Sequence, residues 1–179
     1  MTADDGLIEF DPLDRIAAGA YGRPGRRTFV IQARKGGVVL SVLVEKEQVR
    51  MLAAEATQFL DRIADDEPEE LAAMAIDDGT VTEAEPLFRA RLIGIGYDPD
   101  RRLVLIELRE SANTDDDDGD EDVGPDEEGP GIVARLYATR EQVRAMARNG
   151  VAAVESGRPP CPLCDFPMDP DGHVCPRWN

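Results

Sequence analysis

All three cysteines and the only histidine of this 179-residue chain lie after residue 160. Cys161 and Cys164 form a Cys-x2-Cys pair, whose tight turn lets two thiolates converge on one ion. His173 and Cys175 are two positions apart, so both side chains point to the same side of an extended segment. Four such donors suit tetrahedral Zn²⁺, and a complete set leaves no open position for a substrate. The pattern therefore predicts a structural zinc site.

Two other interpretations of this tail stay open. The cysteines are reduced thiols on an unstructured tail in the first. In the second, His173 is not a ligand, and the fourth donor comes from Asp169, Asp171 or another chain. The second is kept because the His-x-Cys half is shorter than the usual second half of a zinc knuckle.

Other residues that could carry out catalysis are few. The chain has three serines and one histidine, so neither Ser41 nor Ser156 has a free histidine to activate it. The glycines from Gly19 to Gly25 fit neither phosphate-loop pattern and precede a strand, so they predict only a turn. Hydrolysis by two carboxylates stays open, because any two of the 37 acidic residues could converge. We expect a protein that is not an enzyme.

The hydrophobic pattern predicts an α+β fold. Helical spacing of apolar residues predicts two helices, and short β-branched runs predict five strands. The predicted helices span 46–63 and 140–154, and the predicted strands span 28–34, 38–44, 88–97, 102–109 and 132–138. Hairpins such as the one at Lys35-Gly36-Gly37 favour one antiparallel sheet of about five strands, with both helices on one face.

The two predicted helices begin with the same four residues. Glu47-Gln48-Val49-Arg50 and Glu141-Gln142-Val143-Arg144 each follow the end of a strand. The shared context predicts two β-β-α units, at 28–63 and 102–154, with 88–97 as an additional strand. We interpret this as an internal repeat.

Composition divides the chain into two parts and one insert. Between Asp115 and Glu128 there are ten carboxylates and no cation, which predicts a disordered acidic insert at 111–131 within a domain at 1–157. Gly157-Arg158-Pro159-Pro160 interrupts regular structure, so 158–179 is predicted to be a separate zinc-binding tail. A short helix is also expected near 71–76.

Two stretches of the chain resemble a known family. The ending Cys161-Pro-Leu-Cys…Pro-Asp-Gly-His-Val-Cys-Pro-Arg-Trp-Asn and the opening Phe10-Asp-Pro…Gly22-Arg-Pro-Gly-Arg-Arg-Thr-Phe-Val-Ile-Gln-Ala-Arg are similar to an uncharacterised actinobacterial family, a domain of unknown function. The resemblance covers nearly the whole chain and implies an actinobacterial, intracellular origin. The cysteines and histidine of that family correspond to Cys161, Cys164, His173 and Cys175.

The charge is unevenly distributed. The chain carries 20 basic and 37 acidic residues, a net charge of −17, yet basic residues recur in two segments. Arginine forks bind phosphate oxygens, so these residues are candidates for anion binding, although a solvated face paired with nearby carboxylates is the alternative. The candidates are Arg23, Arg26, Arg27, Arg34, Lys35, Arg140, Arg144 and Arg148.

These patterns together favour a small zinc-binding module that binds a protein or a phosphate-bearing partner. A second hypothesis is a phosphate-handling enzyme or a nucleotide binder that uses the arginine-rich face. A third hypothesis is a nucleic-acid-associated factor. It is weakened because aromatic residues, on which bases stack, make up only 5% of the chain. The absence of a signal-peptide pattern at residue 1 and of long apolar runs predicts a cytoplasmic protein without a membrane partner.

Overall fold

The computed structural model describes residues 6–66, 79–110, 131–158, 160–168 and 172–178. Within these ranges the chain forms eight strands and two helices. The strands are β1 Leu7–Phe10, β2 Arg15–Tyr21, β3 Thr28–Lys35, β4 Val38–Val44, β5 Phe88–Arg89, β6 Leu92–Asp98, β7 Leu103–Arg109 and β8 Val133–Ala138. The helices are α1 Lys46–Asp66 and α2 Arg140–Glu155. The predicted α+β class and both predicted helices are confirmed.

The strands form two sheets of four. Sheet 1 has the order β1-β8-β7-β6, and sheet 2 has the order β2-β3-β4-β5. Each sheet contains three antiparallel strands and one edge strand, β1 or β5, that runs parallel to its neighbour. The expectation of one antiparallel sheet of about five strands is therefore wrong.

The strand predicted at 88–97 is divided between the two sheets. The Ala90 N–H donates to the carbonyl of Leu43 in sheet 2, and the next N–H, that of Arg91, donates to Arg109 in sheet 1. Strands β1 and β2 lie outside the predicted set. The chain therefore changes sheets at Ala90, inside the segment that the sequence predicts to be one strand.

Both helices pack into one core shared by the two sheets. Helix α2 lies against α1 and β2, and α1 also reaches β6, so the helices contact both sheets rather than one face of a single sheet. Gly150 lies where α2 packs closely against α1 and β2: a Cβ there would lie 3.1 Å from Val49 Cγ1 and 3.5 Å from Ala18 Cβ. The core unites side chains such as Phe10, Ile31, Leu60, Ile106, Leu136 and Met146.

The repeated Glu-Gln-Val-Arg segments form matching helix starts. The N–H of Thr139 donates to Gln142 Oε1, while the Thr139 hydroxyl accepts from the Gln142 N–H, which is a complete capping box. The N–H of Glu45 likewise donates to Gln48 Oε1. Gln48 and Gln142 therefore occupy equivalent positions in the first turns of α1 and α2, just after β4 and β8 end. An internal duplication stays a prediction.

Two sequence predictions fall on residues that the structure does not describe. The acidic insert at 111–131 lies outside the described residues except for Gly131, and so does the short helix expected at 71–76. No helix in the described ranges has both the length and the apolar character needed to cross a membrane.

Candidate metal centre

The Cys-x2-Cys pair lies in a tight turn stabilised by backbone hydrogen bonds. The N–H of Cys161 donates to the carbonyl of Phe166 at 2.8 Å, and the N–H of Asp165 donates back to the carbonyl of Cys161 at 2.9 Å. Asp165 has a φ of 61°, a left-handed conformation that Asp tolerates better than most residues. This reversal directs both thiols to the same side of the turn.

The second half of the tail returns to this turn. The N–H of Trp178 donates to the carbonyl of Cys175, and the guanidinium of Arg177 donates to the carbonyl of Leu163 at 3.0 Å. Gly172 has a φ of 94°, which favours glycine at the position before His173. The hydrogen bond from Arg177 to Leu163 joins this second half of the tail to the Cys-x2-Cys turn.

The four predicted ligands form one cluster. Their ligand atoms all lie within 4.8 Å of one another, with 3.9 Å between the Sγ atoms of Cys161 and Cys175 and 3.8 Å between Cys164 Sγ and His173 Nε2. Thiolates bound tetrahedrally at about 2.3 Å from one ion lie about 3.8 Å apart. Both distances match this spacing, and the cluster could therefore hold a metal ion.

The local electrostatics favour a thiolate at the first cysteine. The backbone N–H of Leu163 is the main cause that lowers the pKa of Cys161 to about 6, with further hydrogen bonds from Cys164 and His173. Burial instead raises the pKa of Cys164. All three cysteines are free thiols rather than disulfides, as a metal site requires.

The family comparison covers the fold and this cluster together. The model of a family described as "Protein of unknown function (DUF3090)" matches residues 8–175. The chain belongs to this family. The matched range includes all four clustered residues and ends at Cys175. No curated protein and no solved structure matches the chain.

The predicted anion-binding residues lie at two ends of the fold. Arg23, Arg26 and Arg27 occupy the turn between β2 and β3, near the C-terminus of α2, where the Arg27 guanidinium donates to the carbonyl of Ala153 and to Ser156 Oγ. Arg34 and Lys35 end the same strand, about 24 Å from its start. Lys35 donates to the backbone of Asp11 there.

The three arginines of α2 differ in their surroundings. Arg140 is buried, its guanidinium stacks 5.0 Å from the ring centre of Tyr97, and it donates to the hydroxyl of that tyrosine. Arg144 is half-buried and Arg148 is exposed. Arg27 and Arg140 therefore already bind groups of the protein itself, and the anion-binding role of the whole set stays a prediction.

A cavity of about 250 Å³ lies where the tail meets the main fold. Three cations line it, namely Arg27, Lys46 and Arg158, together with the apolar side chains of Phe29, Val154 and Pro167. Lys46 and Arg158 are not among the predicted anion-binding residues. The topology brings them together, because the first turn of α1 and the end of α2 meet beside β3.

Proposed function

We propose that this protein is a zinc-bound, non-catalytic module whose tail binds a partner protein. The observation that carries the proposal is the convergence of the Cys161, Cys164, His173 and Cys175 donors. Three thiolates and one imidazole are the soft and borderline donors that select Zn²⁺. With all four positions taken by protein, the ion has a structural role. Free thiols also fit a reducing cytoplasmic compartment, which is part of the proposal.

The composition of the tail surface supports a protein partner. Large apolar side chains are exposed along it, with Phe166 58%, Trp178 81% and Val174 96% accessible. Exposed aromatic and aliphatic groups in a metal-stabilised segment are typical of contact surfaces, because aromatic anchors dominate binding energies. The metal would order the tail, and ordering in advance lowers the entropy cost of binding.

Capture from a lysate of the source organism, followed by identification and purification of the partner, tests this proposal. The zinc-loaded chain should retain a protein that both Trp178→Ala and the Cys161→Ser/Cys164→Ser double variant fail to retain. Met51→Ala is the matched control, since Met51 is also exposed but lies on α1. Retention of the same partner by all four proteins would contradict a role for the tail.

The cationic cavity favours a second candidate function, the binding of a small phosphate-bearing ligand. Arg27, Lys46 and Arg158 surround its apolar floor, and no carboxylate is among its described lining residues. Guanidinium and ammonium groups bind phosphate oxygens by charge-assisted hydrogen bonds. Titration calorimetry with ATP and with inorganic phosphate should show binding that Lys46→Gln weakens and that Arg62→Gln, on the exposed surface of α1, leaves unchanged. Nucleic acid stays the third candidate.

A further inference from the structure

The cationic cavity has walls from two parts of the chain. The main fold supplies two of its three cations, Arg27 and Lys46, whereas Pro167 comes from the zinc-binding tail. Arg158 lies at the junction of the two parts, where a Cβ built on Gly25 would lie 3.5 Å from its guanidinium. The cavity is therefore complete only while the tail lies against the main fold.

The position of Pro167 depends on the Cys-x2-Cys turn. Pro160 and Pro167 form an isolated β-bridge. Between them, the N–H of Cys161 donates to the carbonyl of Phe166, the residue directly before Pro167, at 2.8 Å. A backbone hydrogen bond thus joins a candidate metal ligand to the neighbour of a cavity residue. Whatever fixes Cys161 in place therefore also fixes Pro167 against the cavity.

The tail has little apolar core of its own. Among its described residues, at 158, 160–168 and 172–178, the buried ones are Cys161 and Cys175, and both belong to the metal cluster. A segment that buries so little apolar surface does not offset the entropy cost of its ordering, so a bound metal supplies the folding free energy. We therefore expect removal of the metal to release Pro167 from the cavity.

Positive charge remains at two cations of the cavity. The Arg27 guanidinium donates to a backbone carbonyl and a serine hydroxyl at the end of α2, which carry no net charge. Glu47 acts on Lys46 through its charge, but Arg50 pairs with the Glu47 carboxylate through Nε, at 3.0 and 3.1 Å from its two oxygens. Cations beside apolar walls suit a phosphate monoester whose other group is compact and apolar.

We propose that zinc in the tail and a phosphate monoester in the cavity bind cooperatively. The zinc-bound tail holds Pro167 against the apolar part of the ligand, while Arg27 and Lys46 bind its phosphate group. This inference rests on the second candidate function, phosphate binding in the cavity. By thermodynamic linkage, zinc and the phosphate ligand raise the affinity for each other by the same factor. Occupancy of the metal site thereby regulates the cavity.

The test uses phenyl phosphate, which joins a phosphate group to one compact ring. Titration calorimetry of the zinc-loaded chain should show binding that weakens about tenfold or more after a chelator has removed the zinc and has itself been dialysed away. In the zinc-loaded chain, Pro167→Ala should also weaken binding. Pro176→Ala is the matched control, because Pro176 is an exposed tail proline that does not line the cavity. This comparison keeps zinc bound, so it decides the matter even where the chelated chain unfolds.

Zinc affinity supplies the reciprocal arm of the experiment, measured by competition with a chromogenic chelator. Saturating phenyl phosphate should raise the zinc affinity of the parent by the same factor. It should not raise that of Lys46→Gln, in which the cavity has lost a cation. An equal rise in Lys46→Gln would overturn the proposal, because phenyl phosphate would then act on the metal directly.

The calorimetry separates failure of the coupling from failure of the phosphate site. Equal binding of phenyl phosphate with and without zinc, or by the parent and Pro167→Ala, would overturn the coupling while the phosphate site stands. Absence of binding to the zinc-loaded chain would overturn the phosphate site and the coupling together.

Discussion

The Sγ atoms of Cys161 and Cys175 lie 3.9 Å apart although 14 residues separate them in the chain. Cys161 is preceded by the bridge between Pro160 and Pro167, and Cys175 is followed by the turn that ends at Trp178. Both thiols are buried in a tail that has few other buried apolar side chains. Two such neighbours, at a distance too long for a disulfide, could share one metal ion.

Replacement of His173 tests the fourth ligand. His173→Gln should lower zinc affinity by more than about a hundredfold, because loss of a direct ligand exceeds the effect of losing a supporting group. His173→Cys should restore most of the affinity by completing a four-cysteine set. Competition with a chromogenic chelator measures both. The Asp169→Asn/Asp171→Asn double variant is the control, and a larger loss there than in His173→Gln would reassign the fourth ligand.

Gly19 in sheet 2 and Gly96 in sheet 1 should respond oppositely to replacement by valine. Gly19→Val should lower the free energy of unfolding by about 2 kcal/mol, because Val81 already fills the space of a side chain there. Gly96→Val should leave stability unchanged or raise it, since a β-branched residue suits an open strand position. Urea unfolding of the zinc-loaded proteins compares them. Equal losses of stability in both variants would contradict the difference between Gly19, which Val81 covers, and Gly96, which has open space.

Gln32 should hold residues 79–87 in place on the outer face of sheet 2. Gln32→Ala removes both hydrogen bonds to Thr82 and should cost about 2 kcal/mol of unfolding free energy, because the N–H and the carbonyl of Thr82 lose their partners. Amide hydrogen exchange should show Thr82 exchanging faster while the core amide of Ile106 is changed only by the global loss. If the Thr82 amide were equally protected in the variant, the segment would be held by other contacts.

The helices and central strands could be predicted from the sequence, but the division into two sheets could not. Periodic apolar residues such as Val49, Leu52 and Ala56 identify α1 within three residues of its end. Strand β2 instead contains Ala17, Ala18 and Gly19, which have low strand propensity and are buried by tertiary contacts. The sheet change at Ala90 depends on hydrogen bonds to Leu43, distant in sequence.

The metal cluster was predictable because soft ligands are rare in this chain and lie close together. The group of Glu107, Arg109 and Arg135 is only weakly visible in the sequence. Glu107 and Arg109 are two residues apart and so lie on the same face of β7. Arg135 joins them only through the pairing of β7 with β8. Likewise, Lys46 and Arg158 meet in the cavity through the packing of two distant helix ends, which no local pattern reveals.

Glu107 should make stability depend on pH. Its partial burial raises its pKa, but the hydrogen bonds from Arg135 and Arg109 outweigh this and lower the pKa below the ordinary 4.5. The unfolded chain therefore binds this proton more readily, so the stabilisation is fully present above pH 4.5 and is lost as pH falls through the lowered pKa. Glu9 also interacts with Arg135 through its charge, so replacement of Glu9 serves as the control.

Chemical unfolding at neutral and acidic pH measures this contribution. Glu107→Gln should cost about 1 kcal/mol at neutral pH, a modest value because the group is partly exposed. The difference between parent and Glu107→Gln should shrink as the pH falls below 4.5, whereas Glu9→Gln should show a smaller difference. A gap between parent and Glu107→Gln that stayed constant down to pH about 3 would show that the carboxylate charge does not contribute.

Zinc K-edge X-ray absorption of protein purified without added metal tests the central claim most directly. The account predicts one zinc per chain, bound by three sulfur atoms at about 2.3 Å and one nitrogen at about 2.0 Å. It also predicts that the Cys161→Ser/Cys164→Ser double variant contains no zinc. Metal-free parent protein, or a zinc shell that contains oxygen from water in place of one of these four ligands, would contradict a closed structural site.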